Sequence, residues 1–370
     1  MKAERRNMKN KLKVIFTPFV IISAFLFLAS LVLYAVSSLS YGAADLINST
    51  VSHFVRRVFS ALYDFLPFSL FELLIILLPL ILFLVIRQGI KSFATSDGRA
   101  RFVSRLSAFI LLIYGGHLLT LGVAHNATPL ATKMGISSVE VTEENLTETL
   151  TLLRDEINSL VESVPRDENG IFDPDYSFET ISREVCASYD KLAEQYGLIP
   201  GFDSSAKGVA NGWAMCYLGI SGIYTYPTGE ANVNSYYPAY VSIYTAAHEM
   251  CHQRGILREN EANFFAYLIT MTSDDHCFRY SGAMNIYSYF ASALYSTNKD
   301  AYFEINDGLS PLAKADYREA NRITDLYDDT IIEEISERIN DLYLKSNGSD
   351  GVVSYSYVVR LVLAYYNQDN

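Results

Sequence analysis

The residue types best suited to chemistry are His248, Glu249 and His252, an HExxH pattern followed three residues later by Gly255. Residues four apart share one face of a helix, so the two histidines can direct imidazole nitrogens at a single ion. Glu249, one position on, would stand beside that ion rather than on it. There it can take a proton from a metal-activated water and pass it to a leaving amine. The expected cofactor is Zn2+, the expected catalytic base is Glu249, and the expected reaction is hydrolysis, with a peptide or protein as substrate. A catalytic zinc needs three protein ligands and an open water position. The next segment, Arg258-Glu259-Asn260-Glu261-Ala262-Asn263, supplies carboxylates for the third, Glu259 first and Glu261 as the alternative.

Elements must hold these residues in place. Ile243, Ala246, Ala247 and Met250 make the motif helix apolar, which predicts burial, and two histidines and a glutamate buried there would be costly unless paired or bound to metal. Gly255 can end that helix in a left-handed turn, so that a second helix opens near Glu259. Upstream, the stretches 219–226 and 230–234 read as two short strands joined by a turn at 227–229. The second, with Ala231, Asn232, Val233 and Asn234, is a candidate to pair with an extended peptide substrate, or an ordinary structural hairpin. Tyr244, Tyr280 and Tyr287 are candidate oxyanion donors among 27 tyrosines. His276 reads as a loop histidine, and Cys251, one place off His252, as a packing residue. Further helices are predicted over 143–164, amphipathic through Leu146, Leu150, Leu153, Ile157, Leu160 and Val164, and over 177–196, closed by Gly197. Beyond Pro238 the pattern is helical almost to the end.

The remainder of the chain is of another kind. It is half hydrophobic over 370 residues, with a positive mean hydropathy. Residues 1–125 carry 13 Lys+Arg against 5 Asp+Glu, and residues 126–370 carry 16 against 36. That asymmetry marks a boundary between a membrane anchor, 1–125, and an acidic domain, 126–370, and argues against nucleic acid as a partner. Apolar runs at about 14–39, 68–86 and 106–123 are long enough to cross a hydrocarbon core of about 30 Å, so the bilayer is a partner. Basic residues precede the first run and fill the loop between the second and third, which predicts a cytoplasmic N-terminus and an extracytoplasmic domain after the third crossing. Between the first two runs, 43–66 reads as an interfacial amphipathic helix, with Asp45, Ser49, Ser52, His53, Arg56 and Ser60 on its polar side. His117 and Glu72 are polar residues near membrane depth, and Gly115-Gly116 would permit close helix contact. Cys186, Cys216, Cys251 and Cys277 show no metal-ligand spacing and are expected as free thiols.

Two resemblances add to this reading. The Glu259 segment resembles the pattern E-x-x-A-[D/N/E] of gluzincins, HExxH enzymes whose third ligand is a glutamate on a following helix. That alignment implies Glu259 as ligand, Ala262 as a close-packing position and Asn263 beside the ligands. A metzincin would have a histidine where this chain has Arg258. More broadly, 219–234, 245–268, 278–282 and 340–366 resemble a bacterial family of membrane proteins known as domain of unknown function 3810. This resemblance implies a multi-pass cell-membrane protein with a zincin-like domain. The expected architecture is therefore an α-rich membrane protein, three transmembrane helices followed by an α+β zincin-like metallopeptidase domain. The alternative function is a non-catalytic zincin-fold membrane module that binds a peptide or signal. A transporter reading is weak, since three spans with one histidine offer little pathway.

Overall fold

The computed structural model describes residues 13–137, 139–327 and 354–367, which form two compact units. The first comprises Met1–Phe59, Leu70–Ala127 and the turn Tyr226–Thr228. Its helices are α1 (Pro18–Ser37), α2 (Tyr41–Ile47), α3 (His53–Tyr63, whose last residues belong to the second unit), α4 (Leu70–Ser92) and α5 (Ser96–His117). Helix α5 continues through a π-helical turn and a last α turn, so that Ser96–His125 is one 30-residue rod. Thr17 caps α1 ahead of Pro18, and Thr95 caps α5 by accepting from Gly98 N–H at 3.0 Å. Three helices, Pro18–Ser37, Leu70–Ser92 and Ser96–His125, are long and apolar enough to cross a membrane. At 1.5 Å per residue even the 20-residue α1 reaches about 30 Å. Many of their large apolar side chains are exposed, which suits lipid contact, while Leu118, Leu121 and Val123 of the third are buried.

Helices α1 and α5 touch through small residues. Ser23, Ser30 and Ser37 are the buried residues of α1, and a Cβ on Gly115 would lie 3.1 Å from the Phe27 Cα. Close backbone approach of this kind replaces the hydrophobic drive that lipid removes. The ring of Tyr226 lies against Gly116 and edge-on to His117, and its hydroxyl donates to the Ile113 carbonyl at 2.7 Å.

The segment expected as an interfacial helix is helical from Tyr41 to Tyr63, with a π turn at Asn48–Ser52, and part of its polar side is packed against protein. Asn48, Ser52 and Arg56 are buried in protein, whereas Leu46, Phe54 and Leu62 are exposed. The cause is local. The π turns Asn48–Ser52 and Leu118–Gly122 take carbonyls off the α ladder, and such carbonyls need donors. Ser52 Oγ donates to the Leu119 carbonyl at 2.5 Å and Arg56 Nη1 to the Thr120 carbonyl at 2.9 Å. Arg56 Nη2 reaches Asn48 Oδ1 at 2.8 Å. The polar stripe therefore serves protein, and most of the apolar stripe is left exposed.

The second unit comprises Ser60–Ser69, Thr128–Thr225 and Gly229–Asn370. Its described elements are α6 (Glu143–Leu160), α7 (Phe178–Tyr196), β1 (Lys207–Val209), α8 (Gly212–Cys216), β2 (Gly222–Thr225), β3 (Glu230–Asn234), α9 (Ala239–Arg254), α10 (Glu259–Thr272), α11 (His276–Thr297), α12 (Lys299–Asp307), α13 (Pro311–Asp325) and α14 (Ser354–Tyr366). Helix α6 opens on a Thr142–Asn145 capping box and buries Leu146, Leu150, Leu153, Ile157 and Leu160, the predicted stripe. Helix α7 ends at Gly197, whose φ of 62° is the left-handed turn expected there. Helices α9, α10 and α11 pack on one another and are the centre of the core, through Ala246, Ala247, Met250, Phe264, Phe265, Met284 and Phe290. All four cysteine thiols are free. Of the resembling stretch 340–366, residues 340–353 lie outside the described residues.

The sheet has the order β1-β3-β2. Strands β2 and β3 form the expected hairpin, antiparallel, with Gly222 opposite Val233 and Thr225 opposite Glu230. Strand β1 runs parallel to β3, pairing Lys207 with Asn232 and Val209 with Asn234, and was not predicted. Residues 60–69 brace this sheet. Lys207 Nζ donates to the carbonyls of Asp64 and Leu66, both at 2.7 Å, and Ser69 Oγ donates to Asn232 Oδ1 at 2.6 Å.

Candidate metal centre

Helix α9 starts after Pro238 and stops at Gly255, where φ is 93°. The Ile256 N–H returns to the Cys251 carbonyl at 3.0 Å and the Gly255 N–H to the His252 carbonyl at 3.0 Å. Such a left-handed stop is open to glycine and strained for other residues. It turns the chain so that α10 opens at Glu259, facing the histidines.

The far end of α9 is fixed by Gln253 and Arg254, both 1% exposed. Gln253 Nε2 donates to the Gly229 carbonyl at 2.7 Å and to Ser60 Oγ at 3.0 Å. Arg254 lies between the rings of Tyr189 and Phe202, each 5.1 Å from its guanidinium carbon, and donates to the Met250 and Phe202 carbonyls. The motif helix is thereby tied to the hairpin loop and to α7 rather than resting on its apolar face alone.

His248, His252 and Glu259 meet, with candidate ligand atoms all within 4.8 Å of one another. His248 Nε2 is 3.2 Å from Glu259 Oε2, and His252 Nε2 is 3.4 Å from Glu259 Oε1. The two imidazole rings are 4.6 Å apart and nearly perpendicular. His252 Nδ1 lies 2.8 Å from the Ile256 carbonyl. A carbonyl can only accept, so Nδ1 carries a proton, and Nε2, turned toward Glu259, is the nitrogen that could bind an ion once its own proton is displaced. Tetrahedral zinc with bonds of roughly 2.0–2.1 Å separates its ligand atoms by about 3.3–3.4 Å. The two nitrogen–oxygen separations, one to each carboxylate oxygen, are of that size, and two imidazoles with one carboxylate are a donor set suited to zinc. The residues present fit the ion.

Electrostatics agree with the geometry. Burial alone would lower the His252 imidazole, but the adjacent Glu259 carboxylate more than reverses this and raises it to about 9. Burial works against an ionised Glu259 too, yet His252 and His248 hold it well below the usual carboxylate range. The cluster is thus a proton-bridged ion pair in the absence of a metal, and a cation can replace the proton.

Glu249 is 4% exposed and belongs to the same electrostatic group. Burial raises its carboxyl above the ordinary value, while His248 and His252 act in the opposite sense. Its Oε2 is buried and makes no hydrogen bond among the described residues. A buried carboxylate oxygen left so is costly, by about 1–3 kcal/mol, unless a water or substrate proton fills it.

Other expected residues have other duties. Glu261 is not in the cluster: its Oε1 accepts from the Leu130 N–H at 2.8 Å and from Arg258 Nη1 at 3.3 Å. Asn263 touches Glu259 through the main chain, Nδ2 donating to its carbonyl at 2.9 Å, and not through the carboxylate. The Tyr244, Tyr280 and Tyr287 hydroxyls are engaged by the Asn263 carbonyl, Asp316 Oδ2 and Asn306 Oδ1, so none is an unoccupied oxyanion donor. His276 Nδ1 contacts Ser163 Oγ at 3.0 Å, and Cys251 is fully buried in the helix packing. The suggested substrate strand Ala231, Asn232, Val233, Asn234 is corrected by the topology. Strand β3 is the middle strand, buried and hydrogen-bonded on both sides, and has no edge to offer. The edge strand beside α9 is β2.

Sequence reasoning missed Gly222 and Tyr224 of β2. The Tyr224 N–H donates to the Glu249 carboxylate, and a Cβ on Gly222 would fall 2.7 Å from Glu249 Oε1. A glycine inside a strand pattern is a signal of close approach, though it does not say what approaches.

None of the curated proteins and none of the solved structures matches the chain. A family model does, over residues 46–363, which takes in the end of the first unit's α2, its later helices and the whole metal cluster. The chain belongs to the family described as "Protein of unknown function (DUF3810)".

Proposed function

We propose that this protein is a membrane-associated zinc-dependent hydrolase, most specifically a peptidase. The observation that carries the reading is the convergence of His248, His252 and Glu259, with the unpartnered Glu249 Oε2 in the same electrostatic group. His248, His252 and Glu259 would hold the ion. A zinc ion there supplies Lewis acidity and makes a water easier to deprotonate. Glu249 takes the proton from that water and delivers it to the leaving nitrogen. Burial, which raises its carboxyl, brings it nearer to a proton carrier useful at neutral pH.

The distribution of basic residues supports a cytoplasmic N-terminus and an extracytoplasmic site, and so a substrate among membrane, secreted or cell-wall peptides. The test uses the full chain purified in detergent or lipid discs. Zinc is measured by elemental analysis, and a peptide library is incubated with the wild type and with Glu249→Gln. One zinc per chain with cleavage lost in the variant is the expected result. Stoichiometric zinc with no cleavage by either would leave the alternative of a non-catalytic peptide- or signal-binding module.

A further inference from the structure

We infer that the outer edge of β2 is a positioning device for Glu249, with the Tyr224 N–H holding its carboxylate and the bare Gly222 making room for it. The inference rests on the hydrolase reading and names residues which that reading does not require. The register of β2 on β3 is marked at its start, where the carbonyl of Ser221, just ahead of β2, accepts from the Asn234 N–H at 2.8 Å. Residues 221, 223 and 225 therefore turn their main-chain groups toward β3, and 222 and 224 turn theirs outward. On that outer edge Glu249 accepts from Tyr224 N–H. It occupies the place where another strand would otherwise bond.

The absence of a side chain at 222 is required. A Cβ there would lie 2.4 Å from Thr245 Cγ2, 2.7 Å from Glu249 Oε1 and 2.8 Å from Glu249 Cγ. Real contacts are never so short, and the Glu249 carboxylate, at the end of a flexible side chain, is what would move. The imidazoles of His248 and His252 are near enough to act on it attractively. A carboxylate released from β2 can become an additional metal ligand and so lose the role of base. The backbone amide prevents this: it ties the carboxylate to the sheet and leaves Oε2 without a partner.

The experiment uses the full chain loaded with zinc, and separately with cobalt(II), whose visible spectrum reports the number and kind of ligands. Gly222→Ala should retain one metal per chain and lower kcat by about 10²-fold, with KM changed far less. Its cobalt spectrum should shift away from that of the wild type, and Gly222→Ala/Glu249→Ala should undo the shift. Gly222→Ala/Thr245→Ser removes the methyl in the shortest contact, which protects folding and leaves only the encounter with Glu249; it should behave as Gly222→Ala does. Full recovery of kcat in that double variant, or a Gly222→Ala cobalt spectrum superimposable on the wild type, overturns the inference. A wild type that binds metal but cleaves nothing leaves the cobalt comparison in force, and one that binds no metal overturns both readings together.

Discussion

At the scale of residues, Glu259 and Glu261 lie two positions apart and do opposite work. Glu259 closes the histidine pair, whereas Glu261 is buried against the Leu130 N–H and Arg258. Glu259→Gln should reduce zinc affinity by more than about 100-fold, the upper end of what even an outer-shell change costs, and should remove the stability that the ion pair with His252 gives the metal-free protein. Glu261→Ala should keep the metal and lose about 1–3 kcal/mol of unfolding free energy, because it strands a buried amide and a guanidinium. Metal titration and thermal unfolding of both variants separate the two roles. The pH dependence has a definite sign. His252 stands at about 9 in the fold and near 6.5 when free, so the stability that it contributes without metal is complete below about 6.5 and lost as pH rises through 9. Glu259 is depressed, so its share is present above its ordinary value and lost as pH falls toward its folded one. Metal binding must displace the shared proton. Zinc affinity should thus rise about tenfold per unit between pH 6.5 and 9 and level off above, with about one proton released per ion. Calorimetry in buffers of different ionisation enthalpy counts that proton.

At the scale of elements, the turn at Gly255 does two things: it stops α9 and it aims the Ile256 carbonyl at His252 Nδ1. Gly255→Ala forces a side chain to φ 93° and should cost about 1–3 kcal/mol, while loosening the His252 tautomer enough to weaken zinc about 10-fold. Unfolding and metal competition measured on the same variant should move together. This stop was legible in the sequence, as were the i, i+4 histidines, the helix carrying Glu259 and the stripe of α6, because each is set by spacing within one element. What was not legible needed a partner from elsewhere in the chain. Strand β1 is three residues long and pairs with residues 25 positions on, so no alternation announces it. Without β1, β3 looks like an edge, and the hairpin could not show that β2 is the strand beside Glu249. Periodicity likewise showed that α3 has two faces, but not that π-turn carbonyls would claim the polar one.

At the scale of the whole molecule, the chain is shared between its two units in a way that charge and hydropathy do not foresee. Residues Ser60–Ser69 precede the second apolar helix in sequence, yet belong to the unit that carries His248, His252 and Glu259. They are bonded into it at several points. The Asp64 and Leu66 carbonyls receive the buried Lys207 ammonium, Asp64 Oδ1 receives the Ser205 N–H at 2.7 Å, and Ser60 Oγ receives Gln253 beside His252. A chain begun at residue 126 contains the whole acidic half but strands these groups. An unpaired buried cation and the lost hydrogen bonds together cost roughly 3–5 kcal/mol, a large part of the stability of an ordinary domain. Such a chain should unfold at a markedly lower temperature than one in which 60–69 is joined ahead of 126 by a flexible linker, and its zinc affinity should fall with it. The linked segment acts only if it reseats on β1, so Lys207→Met in the linked chain should remove most of the rescue. Equal melting temperatures with and without 60–69 would mean that the metal-bearing unit folds without its N-terminal brace.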